Sequence, residues 1–251
     1  MTGGRLGVMI AAAALLVGTA CSDDGSPTAA PASGSRSGAG APEPPTSTTT
    51  APRAMHVGAV AMVPKVAVFA TPDDRAKPVT VLSNPTFEHV PLAFRVIGRD
   101  AGWLHVQLNV RPNGSTGWIR AADVNTHALS HRIVVELATL RLRVFDGDEL
   151  VMDEPVAIGR DKYPTPRGQF FVDAIVHTDP KTVWGPMQIS VSGFSDVLKS
   201  FGGGGGQIAI HGTNQPQLVG KGVSHGCVRM QNDAILRLAA VVGLGTPVEI
   251  R

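Results

Sequence analysis

The sequence predicts a mainly β protein made of two β-rich segments in series, with helix confined to a short stretch near the C-terminus. Three observations predict it. Short runs of β-branched and apolar residues alternate with Gly, Pro, Asn and Asp from about residue 55 onward. The pattern restarts near His131 after a polar break. Helical spacing of apolar residues is clear at one place, Ile235, Leu238, Ala239 and Val242.

In the first segment, taken as residues 55–126, strands are expected at Val66–Phe69, Val90–Val96, Trp103–Val110 and Gly117–Ile119. Turns at Pro72-Asp73-Asp74, Asn84-Pro85, Gly98-Arg99-Asp100 and Pro112-Asn113-Gly114 separate them. Short strands at such spacing suit a small barrel or sandwich. Trp103 and Trp118 are read as core residues. The second segment, residues 129–251, offers strands at Ile133–Leu137 and Leu140–Phe145, joined to the next by a hairpin turn at Asp146-Gly147. Leu150–Ile158, Gln169–Val176, Met187–Val191, Gln207–His211 and Thr246–Ile250 follow. Asn232 or Asp233 is expected to cap a helix over Ala234–Val242, which Gly243 stops. Tyr163-Pro164-Thr165-Pro166-Arg167-Gly168 is a stiff turn, because each proline fixes its own φ and restricts its predecessor.

Residues 1–54 read as an address and a tether. Arg5 precedes an apolar stretch from Leu6 to Val17, then Gly18, Thr19, Ala20 and Cys21, the order of a secretory signal with a small-residue cleavage site. The cysteine after those small residues resembles the lipobox of bacterial lipoproteins. That resemblance implies acylation of Cys21 and an exported protein anchored by lipid to the outer face of the cytoplasmic membrane. Ordinary secretion is the alternative. Residues 22–54 hold Ala, Pro, Ser, Thr or Gly at 28 of 33 positions, too little apolar surface to offset chain entropy. They form an expected disordered linker spanning roughly 30 Å as a coil.

Composition narrows the function. A net charge of +2 argues against a nucleic-acid binder. Aromatic residues at 5% give few stacking platforms for single strands. No apolar run long enough to span a bilayer follows the leader. Two cysteines make no disulfide framework, although a Cys21–Cys227 pair is possible by count.

The chemistry lies in Ile210-His211-Gly212-Thr213 and Val223-Ser224-His225-Gly226-Cys227-Val228-Arg229. Cys227 sits in a glycine-flanked turn with two histidines close upstream. A thiol nucleophile needs a base, a group that orients the base, and donors for the developing oxyanion; this stretch can supply all three. Inert burial of Cys227 is the bland alternative. His211, His225 and Cys227 are also zinc-ligand types, but no Cys-x-x-Cys, His-Glu-x-x-His or fourth ligand accompanies them. No metal and no cofactor is expected. A thiol activated in this way is expected to alkylate faster than free cysteine near neutral pH. His56, His89, His105, His127, His131 and His177 lack such context and are read as surface or satisfied core. The run Gly202–Gly206 lacks the Lys-Ser/Thr of a phosphate loop and is read as a flap near the site or a plain loop.

His-Gly-Thr, a spacer and Ser-His-Gly-Cys-Val-Arg resemble the motif of the YkuD-type L,D-transpeptidases. Pro155-Val156-Ala157-Ile158-Gly159 and Thr165-Pro166-Arg167-Gly168-Gln169-Phe170 also look like that family. Gly102-Trp103-Leu104-His105-Val106 with Gly117-Trp118-Ile119 resembles the bacterial Src-homology-3-like domain. Together these imply a small Src-homology-3-like β-barrel followed by a YkuD-type β-sandwich or barrel with one or two helices. The resemblance implies acyl transfer between peptidoglycan stem peptides, from a tetrapeptide donor to an amine acceptor. It places the nucleophile at Cys227, the base at His211, the orienting carbonyl at Gly212 and the oxyanion segment at His225, Gly226 and Cys227. Ser224 and Arg229 match motif positions, Arg229 either fixing the loop or holding a carboxylate. Tyr163 and Trp184 are candidates to line the substrate groove, with core packing as the alternative. A monomer is expected, with membrane contact only through the lipid. The alternatives are an L,D-carboxypeptidase, a wall-anchoring acyl transfer, or, from a different function class, a non-catalytic peptidoglycan-binding module.

Overall fold

The computed structural model describes residues 55–200 and 204–251. The expected signal, Cys21 and the linker lie outside them. Seven strands come first: β1 (His56–Ala61), β2 (Lys65–Val68), β3 (Thr80–Ser83), β4 (Ala93–Asp100), β5 (Trp103–Gln107), β6 (Thr116–Arg120) and β7 (Val124–Leu129). Five form an antiparallel sheet in the order β6-β5-β4-β1-β7, and β2 pairs with β3. Their inward residues, among them Val66, Phe94, Leu104, Val106 and Ile119, build one hydrophobic core. The strand expected at Val90–Val96 begins at Ala93 and runs on to Asp100. Trp103 is buried edge-on against Phe69, whereas Trp118 is half-buried and stacks on His105 at 4.8 Å. Trp118 is therefore not the full core residue the sequence suggests.

The second segment contributes β8 (His131–Glu136), β9 (Arg141–Asp146), β10 (Glu149–Pro155), β11 (Ile158–Gly159), β12 (Gly168–His177), β13 (Met187–Phe194), β14 (Gln207–His211), β15 (Gly222–Ser224), β16 (Val228–Arg229), the helix α1 (Asn232–Val241) and β17 (Pro247–Ile250). Eight strands form a sheet in the order β10-β9-β8-β17-β12-β13-β14-β16. β17 runs parallel to β8 and β16 parallel to β14; the other neighbours are antiparallel. α1 packs its Ala234, Ile235 and Leu238 face onto a second core that includes Phe170, Val172, Ile189 and Ile210. The molecule is thus mainly β with one α-helix among the described residues.

The helix begins differently from expectation. Gln231 occupies the cap position with no side-chain cap, and Asn232 is already helical. The Asn232 side chain instead accepts a hydrogen bond from the Thr213 N–H at 2.8 Å. A polar side chain at a helix start can satisfy the helix or a neighbouring loop, and here the loop takes it.

The two segments meet along the end of β5 and the turn after it. Gln107 donates to the Gln169 carbonyl, Asn109 donates to the Asp173 carboxylate, and Arg111 donates to the carbonyls of Ser195, Leu198 and Gly205. Asn113 exchanges two bonds with the backbone of Phe194. β5 ends at Gln107, and the bend and turn that follow, through Gly114, carry Asn109, Arg111 and Asn113 to the same partner.

Candidate active site

Strand register assembles the site. Parallel pairing sets Ile210 opposite Val228 and His211 opposite Arg229. Side chains two apart on an extended chain share a face. Cys227, directly before β16, is therefore brought to the face that Arg229 and His211 occupy. All three line one cavity of about 230 Å³ with Val183, Trp184, Ser224 and His225. Cys227 also lines a second cavity of about 230 Å³ on its other side, walled by Trp184, Gln188, Ser190, Gln207, Ile208 and Glu88. Trp184 borders both, and its ring meets His211 edge-on at 4.7 Å.

His211 is 2% exposed, and its Nδ1 donates to the Gly212 carbonyl oxygen at 2.6 Å. That bond places the proton on Nδ1 and leaves Nε2 with a lone pair. Burial lowers the imidazole pKa to about 4, against the pull of the Gly212 carbonyl and with help from the Arg229 charge. A Cβ on Gly212 would stand 2.5 Å from Asn232 Oδ1 and 2.9 Å from Pro186 Cδ, so only glycine lets this turn pass. The His-Gly-Thr segment is thus clamped between Asn232 and β13, whose Met187 carbonyl accepts the Gly212 N–H.

Cys227 is half-buried. Burial pushes its thiol pKa up from the ordinary value, partly offset by a backbone hydrogen bond from Ala209 and by the Arg229 charge. This works against the fast alkylation expected from the sequence, because desolvation disfavours the thiolate. Both shifts favour neutral partners, a thiol and an imidazole.

Ser224 ties the turn together. Its hydroxyl donates to the Cys227 carbonyl at 2.6 Å and accepts the Gly226 N–H at 3.0 Å. Gly226 adopts a φ of +118°, a left-handed conformation that glycine takes without strain and that turns the chain toward Cys227. The Gly226 N–H, part of the segment expected to hold an oxyanion, is thus engaged by Ser224 in this structure.

Tyr163 stands at the rim, tilted against the His225 ring at 4.8 Å. The Arg160 guanidinium lies 4.9 Å over Tyr163 and donates to His225 Nε2 at 2.7 Å. His225 therefore presents an acceptor to Arg160, and burial and the charges of Arg160 and Arg229 lower its pKa. Thr165, buried in the Pro-rich turn, accepts the Gly159 N–H and fixes this rim. Arg229 Nε is buried without a hydrogen-bond partner among the described residues. Gly204, from the glycine run, borders the second cavity. Nothing in the sequence singles out Asn232 or Gln207 as site residues; Arg160 alone carried a signal, as the cation directly after the family-like strand Pro155–Gly159.

The model of the YkuD family, described as the L,D-transpeptidase catalytic domain, matches residues 130–250. The chain is 38% identical over 128 residues to YkuD of Bacillus licheniformis, an alignment that takes in 50% of this chain and 68% of that protein. The chain belongs to the YkuD family of L,D-transpeptidases. A YkuD of Bacillus subtilis is 31% identical over 124 residues, covering 49% of this chain and 68% of that one. Among solved structures, an L,D-transpeptidase from Mycobacterium smegmatis superposes with a TM-score of 0.40 at 17% identity, covering 63% of this chain and 82% of that chain. In this YkuD-family chain the matched residues contain His211, Cys227 and both cavities' catalytic-side walls.

Proposed function

We propose that this chain cross-links peptidoglycan stem peptides through a thioester on Cys227. One observation carries the reading: a buried imidazole, held by the Gly212 carbonyl with its Nε2 unprotonated, shares a cavity with the thiol. Sγ attacks the carbonyl carbon of the L-centred residue, diaminopimelate, before the terminal D-Ala of a tetrapeptide donor. As the S–C bond forms, the thiol proton passes to His211 Nε2. Starting from neutral partners, transfer and attack are coupled, since a free thiolate is disfavoured here. Backbone N–H groups of the His225–Cys227 turn other than that of Gly226 face the oxyanion. The C–N bond then breaks, and the imidazolium proton leaves with the amine of D-Ala.

In the second half, a side-chain amine of a neighbouring stem attacks the thioester carbon. His211 accepts the amine proton, the S–C bond breaks, and the sulfur recovers a proton from His211. The product is a bond between two diaminopimelate residues, a 3-3 link. Arg229, with a buried unpaired Nε, is suited to hold a substrate carboxylate. Tyr163 and Trp184 supply the groove walls.

The separate core of β1–β7 supports reading the first segment as a Src-homology-3-like module. We also infer, from the leader and Cys21 alone, a lipid-anchored envelope protein; labelling by a palmitate analogue that Cys21→Ala abolishes is the expected result. The test of the reaction is incubation with a purified tetrapeptide stem. Release of D-Ala with formation of a 3-3 dimer, both lost in Cys227→Ala, supports the proposal. D-Ala release with tripeptide alone identifies a carboxypeptidase, and neither product overturns acyl transfer.

A further inference from the structure

A third cavity, of about 310 Å³, opens where the first β module meets the catalytic one. It shares Glu88 and Gln207 with the cavity that reaches Cys227, so the two adjoin. Its walls differ in character. Leu82, Phe87, Val90, Leu92 and Phe194 make one side apolar, and Phe87 is 88% exposed. The other side carries Glu88, Asn109, Asp173 and Gln207.

Asp173 is the decisive residue. It is 8% exposed and is the sole acid within the apolar strand β12. Gln207 at 2.8 Å and Asn109 both donate to its Oδ2, while Oδ1 has no partner. Asn109 Oδ1 is also buried without a partner. These two are acceptors, and a third orphan on the same lining, Thr86 Oγ1, can accept or donate; orphaned buried acceptors are costly unless a ligand or water completes them. Two carboxylates face the cavity, and no Lys, Arg or His lines it among the described residues. Burial, with the Glu88 charge, raises the Asp173 pKa to about 7, as a carboxyl without a cation should behave. The volume is far more than one water needs, and an apolar wall does not suit a hydrated metal ion.

We propose that this seam cavity is a second ligand site, which takes a primary ammonium group on a short aliphatic carrier. The ammonium donates to Asp173 Oδ1 and Asn109 Oδ1, and the carrier lies on Phe87, Leu82 and Phe194. The site is distinct from the Cys227 chemistry and stands whether or not that proposal holds. Its position lets the first module read an amine-bearing ligand beside the catalytic cleft.

The intact chain, labelled with ¹⁵N, is titrated with n-pentylamine and separately with 1-pentanol. The amine is expected to move the amide resonances of Asn109, Asp173 and Gln207, and to bind at least about tenfold tighter than the alcohol. Asp173→Asn keeps the shape and should weaken amine binding by a similar factor. Phe87→Ala, at an exposed position without consequence for folding, should weaken it several-fold, roughly as expected for lost apolar contact. Nα-acetyl-L-lysine methylamide presents the same amine on a peptide unit with no D-centred bond to cleave. Tighter binding than pentylamine assigns the site to peptide-borne amines, and equal binding assigns it to free amines. Equal affinity for amine and alcohol, full affinity in Asp173→Asn, or shifts confined to the Cys227 cavity would each overturn the proposal.

Discussion

The imidazole of His211 donates from Nδ1 to the carbonyl oxygen of its own neighbour, Gly212, across 2.6 Å. A backbone dipole therefore does the orienting that a carboxylate performs in other triads. A carbonyl carries no full charge, so it cannot hold a buried imidazolium as a carboxylate would, and the pKa falls to about 4. The imidazole is neutral at any physiological pH, as the base of the proposed reaction must be. Donor turnover should accordingly stay flat as pH falls through 6.5, the usual histidine range, and drop only as His211 protonates near pH 4. A pH–rate profile of D-Ala release checks this, and an acid limb centred near 6.5 would contradict it.

The same burial acts on the sulfur with opposite sign. Because the Cys227 pKa is raised, little thiolate exists at neutral pH without substrate. Iodoacetamide at pH 7.5 should alkylate Cys227 several-fold more slowly than free glutathione. His211→Gln should change that rate little, since the imidazole acts only as the thiol attacks an acyl carbon, yet it should lower turnover by about 10²–10⁴.

Gly212→Ala tests the clamp. The new methyl meets Asn232 Oδ1 and Pro186, and the turn must move by several tenths of an ångström or more. Displacing a catalytic group on that scale costs about a hundredfold in rate. We expect kcat to fall by that order with KM nearly unchanged. Asn232→Asp, which keeps the acceptor for the Thr213 N–H, should retain most activity, whereas Asn232→Leu should not.

Asp173 should set part of the pH dependence of stability. Its pKa is near 3.8 in the unfolded chain and about 7 when folded. A carboxyl raised on folding stabilises fully below the unfolded value, and that contribution is lost as pH rises through the folded value. Three units correspond to something on the order of 4 kcal/mol between pH 4 and 7. Glu88 is the charged group that faces it and adds to the rise. Urea unfolding of Asp173→Asn should show a flatter profile across that window and a higher midpoint above pH 7.

Arg111 joins the modules at the loop bordering the second catalytic cavity. It donates to the Ser195, Leu198 and Gly205 carbonyls and packs on Phe194 at 4.8 Å. Since the guanidinium is exposed, its loss should cost only about 1–2 kcal/mol. Hydrogen exchange at the Ser195 and Leu198 amides should quicken in Arg111→Ala while the β12–β13 amides stay protected.

How much of this was readable depends on the range of the interactions. Leu142 and Val144 alternate with Arg141 and Arg143 in β9, and Ile235 with Leu238 marks the helix face; those patterns are local, and the structure keeps them. β1 and β7 went unread because His56–Ala61 and Val124–Leu129 have weak alternation; they are strands because they pair with each other. β15 and β16 are two or three residues long and exist through parallel partners far along the chain. His211, Cys227 and Gly212 stand together in the chain's one dense motif, so their chemistry was visible. Asn232 and Asp173 were not, because an amide at a helix start and an acid in a strand acquire meaning only from the loop or module packed on them. Gly226 was visible as part of a glycine-flanked turn, but that its N–H meets the Ser224 hydroxyl depends on the folded path of the turn.

The central claim is a covalent bond at one sulfur. Intact-protein mass spectrometry of the chain, quenched during turnover of a tetrapeptide stem, tests it directly. The account predicts a mass increase equal to the tripeptide acyl group, mapped to the peptide that contains Cys227 and absent from Cys227→Ala. An enzyme that turns over while never showing that adduct, or that shows it equally in Cys227→Ala, would contradict the account.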